Sequence, residues 1–262
     1  MSKRTILILL VAIVAIAGIY YFVNMDKKAE EVATTQDIVI ASDATWPPME
    51  MLDSNKQVVG FAPDLLQAIG KAAGFNPVIK NVAWDGIFAG LIAGKYDMVS
   101  SSVSITDERK ETMLFSEPYF EVKQAVIVQK GSGIKSAADL TGKTVGAQIG
   151  TTGYFAAKAL KGVTAKTYDE VGLAIEDLYS GRINAVSCDD PVAANYALLQ
   201  PEYSDKLEIA FILPSEEKEY YGFAFPKNKK GEENVALVNK GLAKIKADGT
   251  YDAIVKKWFS AK

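Results

Sequence analysis

No histidine occurs in these 262 residues, and that absence removes several chemistries at once. A Ser-His-Asp triad, a Cys-His pair and a histidine-ligated zinc are all excluded. Cysteine is nearly absent as well. Cys188 alone can form neither an internal disulfide nor a cysteine-based metal site, and its setting, Ile183-Asn184-Ala185-Val186-Ser187-Cys188, is an apolar strand-like run that suits a small buried hydrophobe. Positive charge is scarce too. The net charge is −3, and residues 1–25 hold Lys3 and Arg4 without an acid, so the remainder stands at −5. No basic stripe exists for nucleic acid, and no nucleic-acid partner is expected. No metal, cofactor or catalytic residue is expected either. What is abundant is apolar side chain, 49% of the chain, enough for a sizeable core in one or two domains.

The apolar content begins with Thr5–Met25, an uncharged run behind Lys3 and Arg4. About 20 helical residues span a bilayer core, so residues 1–25 read as a membrane anchor or a signal. Ala15-Ile16-Ala17 offers a small-x-small cleavage site, and either reading exports the rest of the chain. Residues 26–36, rich in charge and small residues, form a polar tether.

From Asp37 onward, strand-like and helix-like segments alternate. Asp37–Ala41 is a β-branched strand, followed by Asp43 and Trp46 on a loop that Pro47 and Pro48 should hold extended. Pro63–Ala73 has helical spacing with Gly74 as its stop, Pro77–Val82 is a strand, and Trp84–Ala93 is a helix with Ile87, Phe88, Leu91 and Ile92 inward. A fresh series comes after Gln124–Gln129: Thr144–Ile149, a helix from Tyr154, Val163–Thr167, Glu170–Ser180, Ile183–Cys188, Pro191–Leu199 and Leu207–Leu213. Two helices, Glu232–Ala247 and Thr250–Phe259, close the chain. Such alternation predicts α/β architecture, and each half opens with a strand, a polar loop and a helix.

The densest polar stretch is Ser100-Ser101-Ser102-Val103-Ser104-Ile105-Thr106-Asp107-Glu108-Arg109, where the strand Tyr96–Ser100 empties into a loop and a helical turn. Ligands of open α/β sheets bind at that carboxyl end. Hydroxyls and a planar guanidinium suit a small carboxylate, although a solvated loop with Arg109 paired to Asp107 or Glu111 is the plain alternative.

Several motifs, in one order, resemble the extracytoplasmic solute-binding proteins of polar amino-acid ABC transporters. They are Asp43-Ala44-Thr45-Trp46-Pro47-Pro48, Gly60-Phe61-Ala62-Pro63-Asp64-Leu65, Trp84-Asp85-Gly86-Ile87, Ser102 to Arg109, Phe115-Ser116-Glu117-Pro118-Tyr119, Asp139 to Gly146, Gly150-Thr151-Thr152-Gly153 and Asp189-Asp190-Pro191. The resemblance implies a type II periplasmic-binding-protein fold, two doubly wound α/β lobes joined by two crossing strands. Lobe 1 would hold residues 37–123 and 222–262, and lobe 2 residues 124–221. It further implies a monomer that binds an amino acid and serves an ABC transporter permease outside the cytoplasmic membrane. Carried over residue by residue, Arg109 would clamp the α-carboxylate with Ser104 and Thr152, while Ser102 and Asp189 would hold the α-ammonium. Thr152 can also cap the helix that starts near Tyr154, whose N-terminus attracts an anion. Asp190 suits the cap of the Pro191 helix, which leaves Asp189 free for the ligand. Trp46 and Trp84 would wall the side chain, Asp43 would meet its charged end, and Gln148 would add a polar contact. Two indoles and a carboxylate suit a flat cation, so arginine is expected ahead of lysine or ornithine, with glutamine as the competitor. A dehydratase and a sensor share the scaffold. The former would need a general acid in the cleft and the latter a signalling partner.

Overall fold

The computed structural model describes residues 36–215 and 217–260. The apolar run 5–25 and the tether up to residue 35 lie outside the described residues. Among the described residues, no helix is long and apolar enough to cross a membrane.

Two five-stranded sheets organise the body. In the first, the order is Phe75–Asn81, Gln36–Ser42, Met98–Val99, Ala224–Pro226 and Met113–Phe115. Gln36–Ser42 runs parallel to Met98–Val99, with Ile40 opposite Met98. Ala224–Pro226 is antiparallel to both of its neighbours. In the second, the order is Thr164–Tyr168, Thr144–Gln148, Ala185–Asp189, Gln124–Gln129 and Leu207–Ile212. Thr144–Gln148 is parallel to both of its neighbours, and Gln124–Gln129 is antiparallel to both of its own. Each sheet thus places its first βαβ strand between the second and the third, and the crevice at that reversal opens at the strands' carboxyl ends. Between the sheets, Phe120–Val122 pairs antiparallel with Glu219–Tyr221. The result is the α/β architecture of two sheet-bearing lobes that the alternating sequence predicts.

Helix Phe61–Ala73 turns Phe61, Leu65, Leu66 and Ile69 into the core and stops where Gly74 takes a left-handed φ of 86°. Each such buried aliphatic contributes roughly 1.5–3 kcal/mol relative to exposure. The C-terminal helices Lys229–Ala247 and Thr250–Phe259 pack over it. Gly241 is required there, since a Cβ would stand 2.7 Å from the Ile69 carbonyl oxygen. Lys257 Nζ and Trp258 Nε1 both donate to Asp64 Oδ2, at 2.6 and 2.7 Å.

Several local expectations are corrected. Pro47 and Pro48 do not extend a loop; they make the turn of a short hairpin in which Thr45–Trp46 pairs with Glu50–Leu52, and Met49 N donates to Trp46 O at 2.9 Å. The helix expected from Trp84 starts only at Ile87, because Gly86 adopts a left-handed φ of 80°, and it ends at Ile92. So short a helix has one inward face; Ile87 and Leu91 occupy it, and Ile92 is 57% exposed. The Pro191 helix spans Asp190–Ala194 and then widens into a π-helical turn, Asn195–Leu199. No side chain caps it: Asp190 instead accepts the Lys123 N–H at 2.9 Å.

Candidate functional site

The loops at the carboxyl ends of both sheets converge on one cavity. Its walls are Asp43, Trp46, Trp84, Ser101, Ser102, Ser104, Arg109, Gln148, Thr151, Thr152 and Asp189, around about 310 Å³ of free space counting the side open to solvent. Every residue singled out from the sequence is among them. Asp43, Ser102 and Asp189 are buried, as are Trp46 and Trp84 at 7% and 8% exposure.

Each side chain is placed by its element. Asp43 directly follows the strand Gln36–Ser42. Its N–H donates to Ser101 Oγ at 2.9 Å, and its carboxylate accepts from Thr45 Oγ1 and Gln148 Nε2, each at 2.9 Å. Burial pushes the Asp43 carboxyl above its ordinary range, and the hydrogen bonds from Thr45 and Gln148 oppose that. Ser102 holds a positive φ of 47° in the serine loop. This conformation is uncommon for a residue with a Cβ and is held by structure on either side.

Arg109 sits in the first turn of helix Asp107–Thr112, which Thr106 caps by accepting the Arg109 N–H. That turn aims the side chain back toward the cavity. Nη1 donates to Ser104 O at 2.9 Å and Nη2 to Gly150 O at 3.1 Å. The guanidinium carbon lies 5.1 Å from the Phe88 ring centroid and 5.6 Å from that of Trp84. The solvated-loop alternative is thereby removed, since Lys110, not Arg109, pairs with Asp107. Five donors on a fixed fork leave N–H groups free for an anion.

The second sheet supplies the opposite wall. Gln148 ends the strand Thr144–Gln148, and Asp189 ends Ala185–Asp189. Asp189 accepts from Trp46 Nε1 at 3.2 Å, from Gln124 Nε2 at 2.5 Å and from the Tyr221 hydroxyl. Burial, followed by the charge of Glu219, pushes its carboxyl up to about 7. Trp84 Nε1 donates to Ile149 O at 2.8 Å. Together with Gln148–Asp43, Trp46–Asp189 and Arg109–Gly150, this ties residues of the two sheets directly across the cavity.

One expectation about this wall is wrong. Thr152 does not cap the helix after the Gly-Thr-Thr loop. The helix spans Thr152–Ala159 and Thr151 caps it, its side chain accepting the Tyr154 N–H at 3.2 Å. As the first helical residue, Thr152 has an N–H without an intrahelical partner. Its hydroxyl donates to Glu219 Oε1 at 2.6 Å. Gly153 is fixed by space: a Cβ there would stand 2.8 Å from Gln124 Oε1 and 3.0 Å from Ser187 O.

Sequence reasoning missed Gln124, Glu219 and Tyr221. Glu219 and Tyr221 lie on a strand between the sheets and Gln124 heads a strand of the second sheet, all outside any loop motif. The available signal was a polar residue, Gln124, heading an otherwise apolar strand, and Glu219 two residues before a buried tyrosine.

The site's chemistry is that of recognition. It offers a guanidinium with free donors, carboxylates at Asp43 and Asp189 from different sheets, and two indoles in the wall. A zwitterion with a polar or charged side chain matches that distribution.

Comparison with known proteins shows the family. Residues 38–261 match the model of the bacterial extracellular solute-binding proteins, family 3. A probable histidine-binding protein of Neisseria gonorrhoeae is 38% identical over 227 residues, covering 84% of this chain and 82% of the relative. The crystal structure of the arginine-, lysine-, histidine-binding protein ArtJ from Geobacillus stearothermophilus superposes with a TM-score of 0.78 at 38% identity, covering 87% of this chain and 96% of that one. An ancestral arginine-binding protein bound to glutamine has a TM-score of 0.78 at 39% identity, with coverage of 86% and 98%. The chain belongs to the bacterial extracellular solute-binding proteins, family 3.

Proposed function

We propose that this chain binds a basic amino acid, arginine ahead of lysine and ornithine, and delivers it to an ABC transporter permease outside the cytoplasmic membrane. The lobes of this reading are residues 37–123 with 222–262, and residues 124–221, hinged at the paired strands Phe120–Val122 and Glu219–Tyr221. The observation that carries it is the charge complement of the cavity wall, with Arg109 and Asp189 for the amino-acid head and Asp43, from the other sheet than Asp189, for a cationic side chain. Arg109 takes the α-carboxylate. Asp189 takes the α-ammonium with the Ser102 main chain. Trp46 and Trp84 flank the side chain, and Gln148 and Asp43 meet its end.

The similarity to ArtJ supports a basic ligand. Binding closes the lobes by hinge motion, driven by the ligand's higher affinity for the closed form. No nucleophile–base pair is needed, and the reading assigns no turnover.

Glutamine is the second reading, and a specific contact favours it. Asp43 already accepts from Gln148 Nε2, and burial raises its carboxyl, so this end of the cavity also suits a neutral amide. Isothermal titration of residues 36–262 with arginine, lysine and glutamine separates the two. Tightest binding of arginine supports the first, and binding of glutamine alone supports the second.

A further inference from the structure

Glu219 is an acidic residue beside the cavity that the proposed ligand contacts leave unused. It stands at the start of the strand Glu219–Tyr221, behind the cavity wall, facing a second hollow lined by Glu121, Lys123, Gln124, Leu213 and Lys218. Its Oε1 accepts from both inter-lobe hydroxyls, Ser104 Oγ and Thr152 Oγ1. Its Oε2 accepts from Gln124 Nε2 at 2.9 Å, and the same amide nitrogen lies 2.5 Å from Asp189 Oδ1. Ser104 Oγ and Thr152 Oγ1 are 3.3 Å from each other.

The protons decide what these hydroxyls can bind. A serine or threonine hydroxyl has one proton and two lone pairs, and an ionised carboxylate only accepts. With both protons directed back at Glu219, Ser104 and Thr152 keep only lone pairs; Gln124 Nε2 at 3.1 Å takes one of those on Thr152, and the remaining ones are what the two hydroxyls present to the cavity they line. Lone pairs accept from an ammonium and repel a carboxylate oxygen. Gln124 is fixed in the same sense, because its amide N–H groups face Asp189 and Glu219. An amide at position 219 has one acceptor oxygen, which Gln124 Nε2 claims, so its NH2 faces the hydroxyls, and each of them can then turn its proton toward the cavity and donate to a carboxylate.

We propose that Glu219 is a positioning residue that makes an α-ammonium obligatory in the ligand, by turning the Ser104 and Thr152 hydroxyls into acceptors beside Asp189. The inference rests on the amino-acid reading above and reassigns these two hydroxyls from the carboxylate to the ammonium. The carboxylate is left to Arg109 and the free N–H at the start of helix Thr152–Ala159. The class of ligand excluded is the deaminated acid, which keeps the side chain and carboxylate and lacks the ammonium.

Arginine and 5-guanidinopentanoate, which differ only at the α-ammonium, are the probes, titrated calorimetrically into residues 36–262. The native chain is expected to prefer arginine strongly. In Glu219→Gln the preference should fall at least tenfold, through weaker arginine and equal or tighter 5-guanidinopentanoate, while Glu219→Asp retains most of it. Thr152→Val provides the same reading independently of the hinge: loss of an acceptor weakens arginine more than the deaminated acid. Equal weakening of both ligands in Glu219→Gln and Thr152→Val would overturn the proposal and leave Glu219 a brace between the lobes. Failure of the native chain to bind arginine would overturn the basic-amino-acid reading as well.

Discussion

Arg109 and the carboxylates carry distinguishable consequences if altered. Arg109→Ala should abolish binding of every amino acid, because a ligand carboxylate would then be desolvated without its partner. Losing one member of such a pair costs about 2–5 kcal/mol, which titration calorimetry resolves easily. Asp43→Asn should weaken arginine far more than glutamine, and equal losses would move Asp43 out of the side-chain subsite. Asp189 makes binding pH-dependent. Its carboxyl stands at about 7, raised by burial and then by Glu219. An ammonium requires the ionised form, so arginine affinity should rise as pH increases through about 7 and level off above it. Asp189→Asn should leave a weak, flat profile. The stability sign is the reverse. A carboxyl raised above its unfolded value of about 3.9 contributes most at low pH, and that contribution is lost as pH rises toward 7. Without arginine the thermal midpoint should therefore fall from about pH 5 to pH 8, and saturating arginine should restore it.

At the scale of elements, the Gly150–Gly153 turn shows where sequence reading succeeds and where it stops. Its place between a buried strand and a helix is legible from the apolar run and the glycines. Which of two adjacent threonines caps the helix is not, since the answer depends on a one-residue offset in where helical geometry begins. Thr151→Ala should cost about 1 kcal/mol of stability through the lost cap, read from chemical denaturation, and Thr152→Ala should cost less stability and more affinity. Ile92 shows a related limit: it is the last residue of a helix that runs only from Ile87, and while Ile87, Phe88 and Leu91 pack on the core, Ile92 lies beyond that face. Gln124 and Glu219 were illegible for another reason. Strand periodicity identifies which face a residue occupies, whereas their partners come from other elements remote in sequence, at Ser104, Thr152 and Asp189. The loop residues of the cavity, by contrast, each followed a recognisable strand end.

Over the whole molecule, two sheets with the same reversal in strand order direct their carboxyl ends at one cavity. That repeated order explains why a chain of unlike halves can grip a small ligand from both sides. The direct ties, Trp84 to Ile149, Gln148 to Asp43 and Arg109 to Gly150, span it, and buried apolar side chains of both sheets join in one cluster. Two sheets connected through the paired strands Phe120–Val122 and Glu219–Tyr221 have the kind of connection that hinge opening uses. Removing one tie by Trp84→Phe, which keeps the ring and loses the donor, should speed arginine dissociation in stopped-flow fluorescence while leaving the fold intact. The central claim is that this cavity selects a basic amino acid. Titration of residues 36–262 with arginine tests it most directly: stoichiometric binding, weaker for lysine and absent for glutamate, is the result the account requires, and tight binding of glutamate or none of any amino acid would contradict it.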